Sequence, residues 1–414
     1  MDTAAQRTVD FASAEVLDDP YPAYRALREQ GPVLLDDRGF WLITDYATCA
    51  EVLRDKRWGH ADRDPALASA VQAPAMRVRV FPDLDTDPWP FMRQNPPDHT
   101  RVRALVGKAF TPRMIDGFAA TIETLATELI DAALAEGTAG TVDLVDAFAA
   151  ALPIRSICAR LGVPSKDWTQ LRDWSMTYSR GFDPGLAAEP GLFEQCEQAA
   201  IGLRDYFSDF IAYRRDNPTG DLVSALIAAR EGGDFLSDEE LIVTVALLMS
   251  AGNETSVSLL GNGALTLLRN PDQLARFRDE PDGHPAAIEE LLRYESPFQF
   301  GDRVALEPIR LHDFDIPAGA RSLILVGSAN RDPAVFDDPD TLDLTRNPNR
   351  HLSFGTGIHF CIGAPLARLQ GRVALHALFR RAPHARLAGP PTRAGTAWNR
   401  GLSALPVDLK GASR

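Results

Sequence analysis

Residues 351–370 read HLSFGTGIHFCIGAPLARLQ. They put a cysteine, Cys361, into a loop with Gly355, Gly357 and Gly363, just before a stretch that reads as a helix with Pro365 in its first turn. The positive end of such a helix, with the freed N–H groups of a glycine-rich loop, stabilises a thiolate. Glycines also let the backbone take positive φ and approach a flat surface closely. Three chemistries compete for Cys361: a structural cysteine, a nucleophile with His359 as its base, and a metal ligand. Residues two apart in a tight loop rarely face each other, which weighs against the second.

Further constellations bear on the choice. LSDEELIVTVALLMSAGNETSVSLLGNGALTLLRNP opens with a capping box, Ser237 and Glu240, and runs to Pro271 as a helix apolar almost all round. Its middle breaks the rule: Ala251, Gly252, Asn253, Glu254 and Thr255 set small residues, a carboxylate and a hydroxyl inside an apolar run. Gly252 costs about 1 kcal/mol relative to alanine in a helix interior, and a buried Glu254 costs more unless paired or hydrated. Ala251, Gly252 and Thr255 share a face. Either this is a kinked core helix with a solvated notch, or it is a proton-delivery site beside a bulky planar ligand. AAIEELLRYESP carries Glu290 and Arg293 as an i, i+3 pair among leucines, where it would fix structure. NPPDHTRVRALVGKAF opens a helix after two prolines and puts His99 and Arg103 on one face, as an exposed basic stripe or as donors for a ligand's carboxylates. A thiolate cannot hold zinc alone, but it can be the one protein ligand of a haem iron. That reading needs a planar pocket and carboxylate donors, which Ala251–Gly252 and His99/Arg103 would supply.

The elements that must position these residues follow from pattern. GFWLITDY suits a strand and 50–54 a helix; TIETLATELIDAALAEG, LFEQCEQAAIGLRDYFSDFIAYRRD and DLVSALIAARE are helical; RVALE, IRLHDFDIPAGARSLILVGSANR and GLSALPVDLK are strand-like. Residues 60–97, rich in Pro and Asp, read as a long irregular loop. The class is mostly α with small β-sheets, in one domain over 1–414. Apolar residues make 45% of the 414 and charged residues 24%, and the net charge of −14 argues against a nucleic-acid binder. Four widely spaced cysteines exclude zinc-ribbon and iron–sulfur spacings and a disulfide framework. MDTAAQRTVDFASAEV lacks the apolar core of a secretion signal, and the stretch around Leu241–Gly252 is too short and too interrupted to span a bilayer. The expectation is a soluble cytoplasmic protein.

FGTGIHFCIG resembles the haem-binding signature of the cytochrome P450 monooxygenases, with Phe354, Gly355, Gly357, His359, Cys361 and Gly363 where that family has them. AGNET resembles its central-helix motif and Glu290/Arg293 its ExxR pair. DPYPAYRALREQGPV and RGLSALPV extend the resemblance over nearly the whole chain. It implies a triangular helical prism around a buried haem b, of the soluble bacterial branch. Cys361 is then the proximal thiolate and metal ligand; Thr255 and Glu254 deliver protons; His99, Arg103, Arg303 and His359 hold the propionates; Ala251, Gly252, Gly355 and Gly363 lie against the macrocycle; and Phe354 packs beside the thiolate. Glu290 and Arg293 support the haem loop. Thr341 stands where many relatives carry the arginine that partners this pair, leaving Arg346 as the substitute, and Ser256 replaces a frequent second threonine.

The substrate pocket implied draws on the 60–97 loop, Met176–Gly181, Leu247, Leu248, Ala251, Phe298–Phe300 and Leu402. Its aromatics, Trp89, Phe91, Phe298 and Phe300, suggest a largely apolar substrate, a natural-product intermediate to be hydroxylated either free or tethered to a carrier protein. Electrons would come from a ferredoxin and ferredoxin reductase, docked on a basic patch of Arg101, Lys108, Arg113, Arg350, Arg368 and Arg372, to a monomeric enzyme. Two rivals remain. One is a related haem-thiolate enzyme doing epoxidation, oxidative coupling, nitration or peroxide-driven oxidation. The other is a haem-free docking domain of a biosynthetic assembly line, which could lose the thiolate and the acid–alcohol pair that this chain keeps.

Overall fold

The computed structural model describes residues 9–60, 80, 89–136, 141–181, 190–280 and 285–411, and of 113 and 136 the backbone alone. Most of the 60–97 segment therefore lies outside the described residues. The chain packs as two compact units, one from 1–73, 286–361 and 393–401, the other from 74–285, 362–392 and 402–414. Helices dominate and the sheets are small, as expected.

The first unit carries strands β1 (Val33–Leu35), β2 (Phe40–Ile43), β3 (Trp58–Gly59), β4 (Gly301–Ala305), β5 (Ile309–Leu311), β6 (Phe314–Ile316) and β7 (Arg321–Ile324). Five of them form one sheet in the order β1-β2-β7-β4-β3. Within it β2 and β7 run parallel and the other neighbours antiparallel. β5 and β6 make a separate hairpin. The helix read at 50–54 begins earlier, at Tyr46, because Asp45 caps it by accepting from the Thr48 N–H at 2.8 Å. Its Cys49, Ala50 and Val52 pack with Ile43, Trp58 and Ile324 in one apolar cluster. A second cluster joins Phe11, Tyr24, Leu27, Leu42, Phe300 and Leu323.

Helix Pro285–Tyr294 carries the pair that organises the 330–361 segment. Glu290 and Arg293 are fully buried. Arg293 Nε donates to Glu290 Oε2 and Nη2 to Oε1, both at 2.7 Å. The remaining guanidinium protons go to the carbonyls of Asn330 (3.0 Å), Pro339 (2.8 Å) and Thr341 (3.3 Å). Glu290 in turn accepts from the Asp343 N–H at 3.0 Å, Asn349 Nδ2 at 3.0 Å and Arg346 Nε at 3.2 Å. Thr341 thus contributes only its carbonyl, and the third basic partner is Arg346. A second buried pair lies one residue past this helix: Arg400 Nε donates to Glu295 Oε2 at 2.7 Å, and its two Nη groups donate to the carbonyls of Leu17 (3.0 Å) and Asp18 (2.8 Å).

The segment 330–361 is held by hydrogen bonds. Asn330 Oδ1 accepts from the Leu352 N–H at 2.7 Å, and its Nδ2 donates to Ser353 Oγ at 2.9 Å. The Gly355 N–H donates to the Leu352 carbonyl at 2.7 Å, starting a turn in which Gly355 and Gly357 have φ of 66° and 73°. At Gly357 a Cβ would stand 2.4 Å from the Leu53 carbonyl oxygen, so the 357–359 turn lies directly on helix Tyr46–Arg54.

The second unit is built on helix Asp238–Arg269, whose capping box forms as read: Glu240 N–H to Ser237 Oγ at 3.2 Å and Ser237 N–H to Glu240 Oε2 at 2.9 Å. By length and composition it is the one described helix able to cross a membrane, but 72% of its most apolar window is buried in protein. Around it pack helices Ala151–Leu161, Trp168–Arg180, Leu192–Asp216 and Ala364–Arg381. Leu192–Asp216 turns Leu192, Cys196, Ala199, Ala200, Leu203, Phe207 and Phe210 inward at helical spacing. Arg101, on helix Asp98–Ala109, reaches Glu240 and, at 3.2 Å, Asp234.

This packing has two measurable consequences. Glu290→Ala leaves a guanidinium buried without its counter-charge, and should cost about 3–5 kcal/mol in urea unfolding of the full chain. Gly357→Ala puts a Cβ against a backbone oxygen at positive φ, and should cost more than the roughly 1–2 kcal/mol of the φ strain alone, whereas Gly395→Ala, with open space around it, should change stability by less than about 0.5 kcal/mol.

Candidate functional site

Cys49, Cys158 and Cys196 are buried, and Cys361 is exposed. Burial pushes the Cys49 thiol well up and the Cys158 thiol up to about 12, so both are inert hydrophobes. Cys361 is the cysteine whose sulfur is presented. The turn before it fixes its direction: Phe360 N–H donates to the Gly357 carbonyl at 3.1 Å, and Cys361 N–H to the Phe354 carbonyl at 2.9 Å. The Phe354 ring lies between those of His351 (5.8 Å) and Phe360 (6.4 Å). His359 closes a single 3-10 turn and meets the buried His60 ring edge-on at 5.2 Å. Arg303 is half-buried on β4, and its Nη1 donates to the Asp302 carbonyl at 2.7 Å. The first unit thus brings Arg303, Phe354, Gly355, His359 and Cys361 into one body.

In the second unit the central helix is buried over Leu241–Ser250 and Ser258–Leu267. Between these stretches Ala251 is exposed, and Gly252, Glu254, Thr255 and Val257 are partly so. A Cβ added at Gly252 would meet only Ile157 Cδ1, at 4.0 Å. Thr255 Oγ1 donates back to the Ala251 carbonyl at 2.9 Å, which satisfies the hydroxyl and keeps it on the helix wall. Asn253 points the other way and is buried. His99 is also buried and Arg103 half-buried, so these two are not an exposed basic stripe. Gly363 caps helix Ala364–Arg381, with Pro365 at its second position.

The residues expected to line a pocket are placed unevenly. Phe91, Leu247 and Leu248 belong to the second unit's core surface, and Leu402 covers Gly261 there. Trp89 and Phe298 are half-buried. Phe300 sits in the first unit's core, its ring 5.7 Å from that of Phe11. Of 176–181, Met176 is exposed whereas Tyr178 and Ser179 are buried. The basic patch also shrinks. Arg101 is engaged by Glu240 and Asp234, and Lys108 Nζ lies 2.6 Å from Glu231, while the Arg113 side chain is outside the described residues. Sequence reasoning missed Asn330, Ser353 and Ser296, since single polar residues at these spacings form no pattern.

These residues fit a haem held by one thiolate. One unit presents a single sulfur from a glycine turn. The other has, in an otherwise buried helix, a small-residue face with an acid and an alcohol at its edge. Among the described residues no group of three or more His, Cys, Asp or Glu is placed to hold a bare metal ion.

Comparison with known proteins gives the same answer. The cytochrome P450 family model matches residues 191–384. Cytochrome P450 107B1 of Saccharopolyspora erythraea is 39% identical over 403 residues, covering 94% of this chain and 95% of that protein. The polyketide biosynthesis cytochrome P450 PksS of Bacillus subtilis is 39% identical over 373 residues, 89% of each chain. Among solved structures, P450BioI in complex with an acyl carrier protein ligated to hexadec-9Z-enoic acid superposes with a TM-score of 0.86 at 34% identity, over 96% of this chain and 99% of that one. With such identity along almost its whole length, the protein belongs to the cytochrome P450 family, the haem-iron monooxygenases.

Proposed function

We propose that this chain binds haem b through Cys361 and hydroxylates a largely apolar intermediate of secondary metabolism. The observation that carries the reading is Cys361 itself, the exposed cysteine of the four, held in a turn with positive φ at Gly355 and Gly357. When bound, the haem supplies activation of O₂, with electron density at iron raised by the thiolate. The chain's residues do the rest. His99, Arg103, Arg303 and His359 are the donors for the propionates. Ala251 and Gly252 leave room for the macrocycle's face. Phe354 keeps water from the sulfur. Glu254 would take up protons from solvent, and the Thr255 hydroxyl, which here donates to the Ala251 carbonyl, would relay them into the site. Trp89, Phe91, Leu247, Leu248, Phe298 and Leu402 are the apolar residues that would exclude water from the substrate.

The substrate class is supported by the place of PksS in polyketide biosynthesis, and a carrier-tethered substrate by the complex of P450BioI with an acyl carrier protein. Electrons are supplied by a ferredoxin and its reductase, docked on a basic patch that includes Arg350, Arg368 and Arg372. We read the protein as a cytoplasmic monomer with a single catalytic domain over residues 1–414.

The first test is the absorption spectrum of the reduced protein with CO. A strongly red-shifted Soret band is expected, lost in Cys361→Ser with haem still bound; folded protein that takes up no haem would overturn the reading. In Thr255→Val, product formed per electron pair should fall by about tenfold or more as hydrogen peroxide is released instead, with that Soret band unchanged.

A further inference from the structure

The buried hydroxyls of Ser296 and Ser353 lie between two segments with different tasks. Ser296 is 1% exposed and Ser353 9%. Ser353 immediately precedes Phe354 in the cysteine loop, and Ser296 sits two residues before Phe298. Their oxygens are 3.0 Å apart.

The protons do not go round. Asn330 must accept from the Leu352 N–H through Oδ1, so its amide donates to Ser353 Oγ at 2.9 Å. Ser353 gives its one proton to the Leu292 carbonyl at 2.8 Å. Ser296 then has one proton and two acceptors: Ser353 Oγ at 3.0 Å and the Phe298 carbonyl at 2.9 Å. A hydroxyl donates once, and these distances do not favour either partner. The Phe298 segment has other anchors too: Gln299 Nε2 donates to the Ser296 carbonyl at 2.7 Å and the Gln299 carbonyl accepts from the Gly327 N–H at 2.9 Å. Phe298 bridges Asn399, the Gln299 N–H donates to the Trp398 carbonyl at 2.8 Å, and the Arg400 N–H to the Pro297 carbonyl at 2.7 Å. The Phe298 ring stands edge-on to Trp398 at 6.3 Å.

We propose that Ser296 is a positioning residue, a two-position hydroxyl that couples the Phe298 segment to the cysteine loop. With Phe298 undisturbed, the proton is shared between the two acceptors. A ligand that displaces Phe298 draws its carbonyl away, the proton goes to Ser353, and the Leu352–Gly355 backbone tightens through Asn330. The inference rests on the reading of Phe298 as a pocket wall and of Cys361 as the haem ligand. It adds that occupancy of the pocket is felt in the loop behind the sulfur.

The test uses haem-loaded full-length protein, with imidazole and 4-phenylimidazole as probes that share a ligating ring and differ by an apolar phenyl group. The readout is hydrogen exchange at the amides of Leu352, Gly355 and Cys361, which does not depend on turnover. In wild type, 4-phenylimidazole should slow exchange at these amides at least threefold more than imidazole does. In Ser296→Ala that excess should vanish, and in Ser296→Thr, which keeps the hydroxyl, it should return. No excess in wild type, or an equal excess in Ser296→Ala, overturns the proposal. Should Ser296→Ala fold poorly, Phe298→Ala serves in its place, because removing the ring must also abolish the excess. A wild-type protein without the red-shifted CO band would instead overturn the oxygenase reading, and this inference with it.

Discussion

Arg293 carries five N–H donors and is buried where no water can reach them. A guanidinium in that position destabilises the fold unless every donor is met, and here each one is, by two carboxylate oxygens and three backbone carbonyls. The carbonyls come from Asn330, at the end of the short helix Val326–Ala329, and from Pro339 and Thr341 in irregular backbone. The cost of desolvating the pair is therefore recovered as specification of a loop. Asn330, fixed by its carbonyl, uses its side chain to hold Leu352 and Ser353, and these set the start of the cysteine turn. The position of Cys361 depends on this chain of contacts as well as on its own turn.

A second buried pair does similar work on the other side of the same helix. Burial pushes the Glu295 carboxyl up, but the guanidiniums of Arg400 and Arg393 outweigh this and hold it below the ordinary carboxylate range. Arg400 joins three stretches far apart in sequence: the 17–18 carbonyls, Glu295, and its own 397–401 segment. Each pair replaces the regular hydrogen bonding that irregular segments lack. This is why small sheets suffice in a unit so rich in loops.

The central helix meets the opposite difficulty. It is apolar enough to be buried on every side, and such a helix would offer no chemistry. Gly252 and Ala251 lower its bulk over one turn, and Glu254 and Thr255 bring polar groups there. The helix tolerates this because its capping box and the burial of Leu241–Ser250 and Ser258–Leu267 stabilise both flanks. A weak turn survives only between two strong ones.

Much of this was legible in the residues. Capping and apolar spacing placed the 238–269 and 192–216 helices, and glycine spacing around Cys361 marked the turn, because these signals depend on neighbours within a few residues. Helix Tyr46–Arg54 was read short, since the Asp45 cap looks like any loop aspartate until its side chain is seen bonded. Phe298 and Phe300 look alike in the sequence, yet one is half-buried and the other packs on Phe11. Arg101 and Lys108 look like free cations, but acids more than a hundred residues away engage them. The sequence by itself determined the family, the ligand cysteine expected of it, and the acid–alcohol pair, all carried by short motifs. Only the tertiary structure decided that Arg346 completes the Glu290 site and that Ser296 meets Ser353. Those contacts join residues 56 and 57 positions apart through irregular backbone, where no periodicity relates one side chain to another.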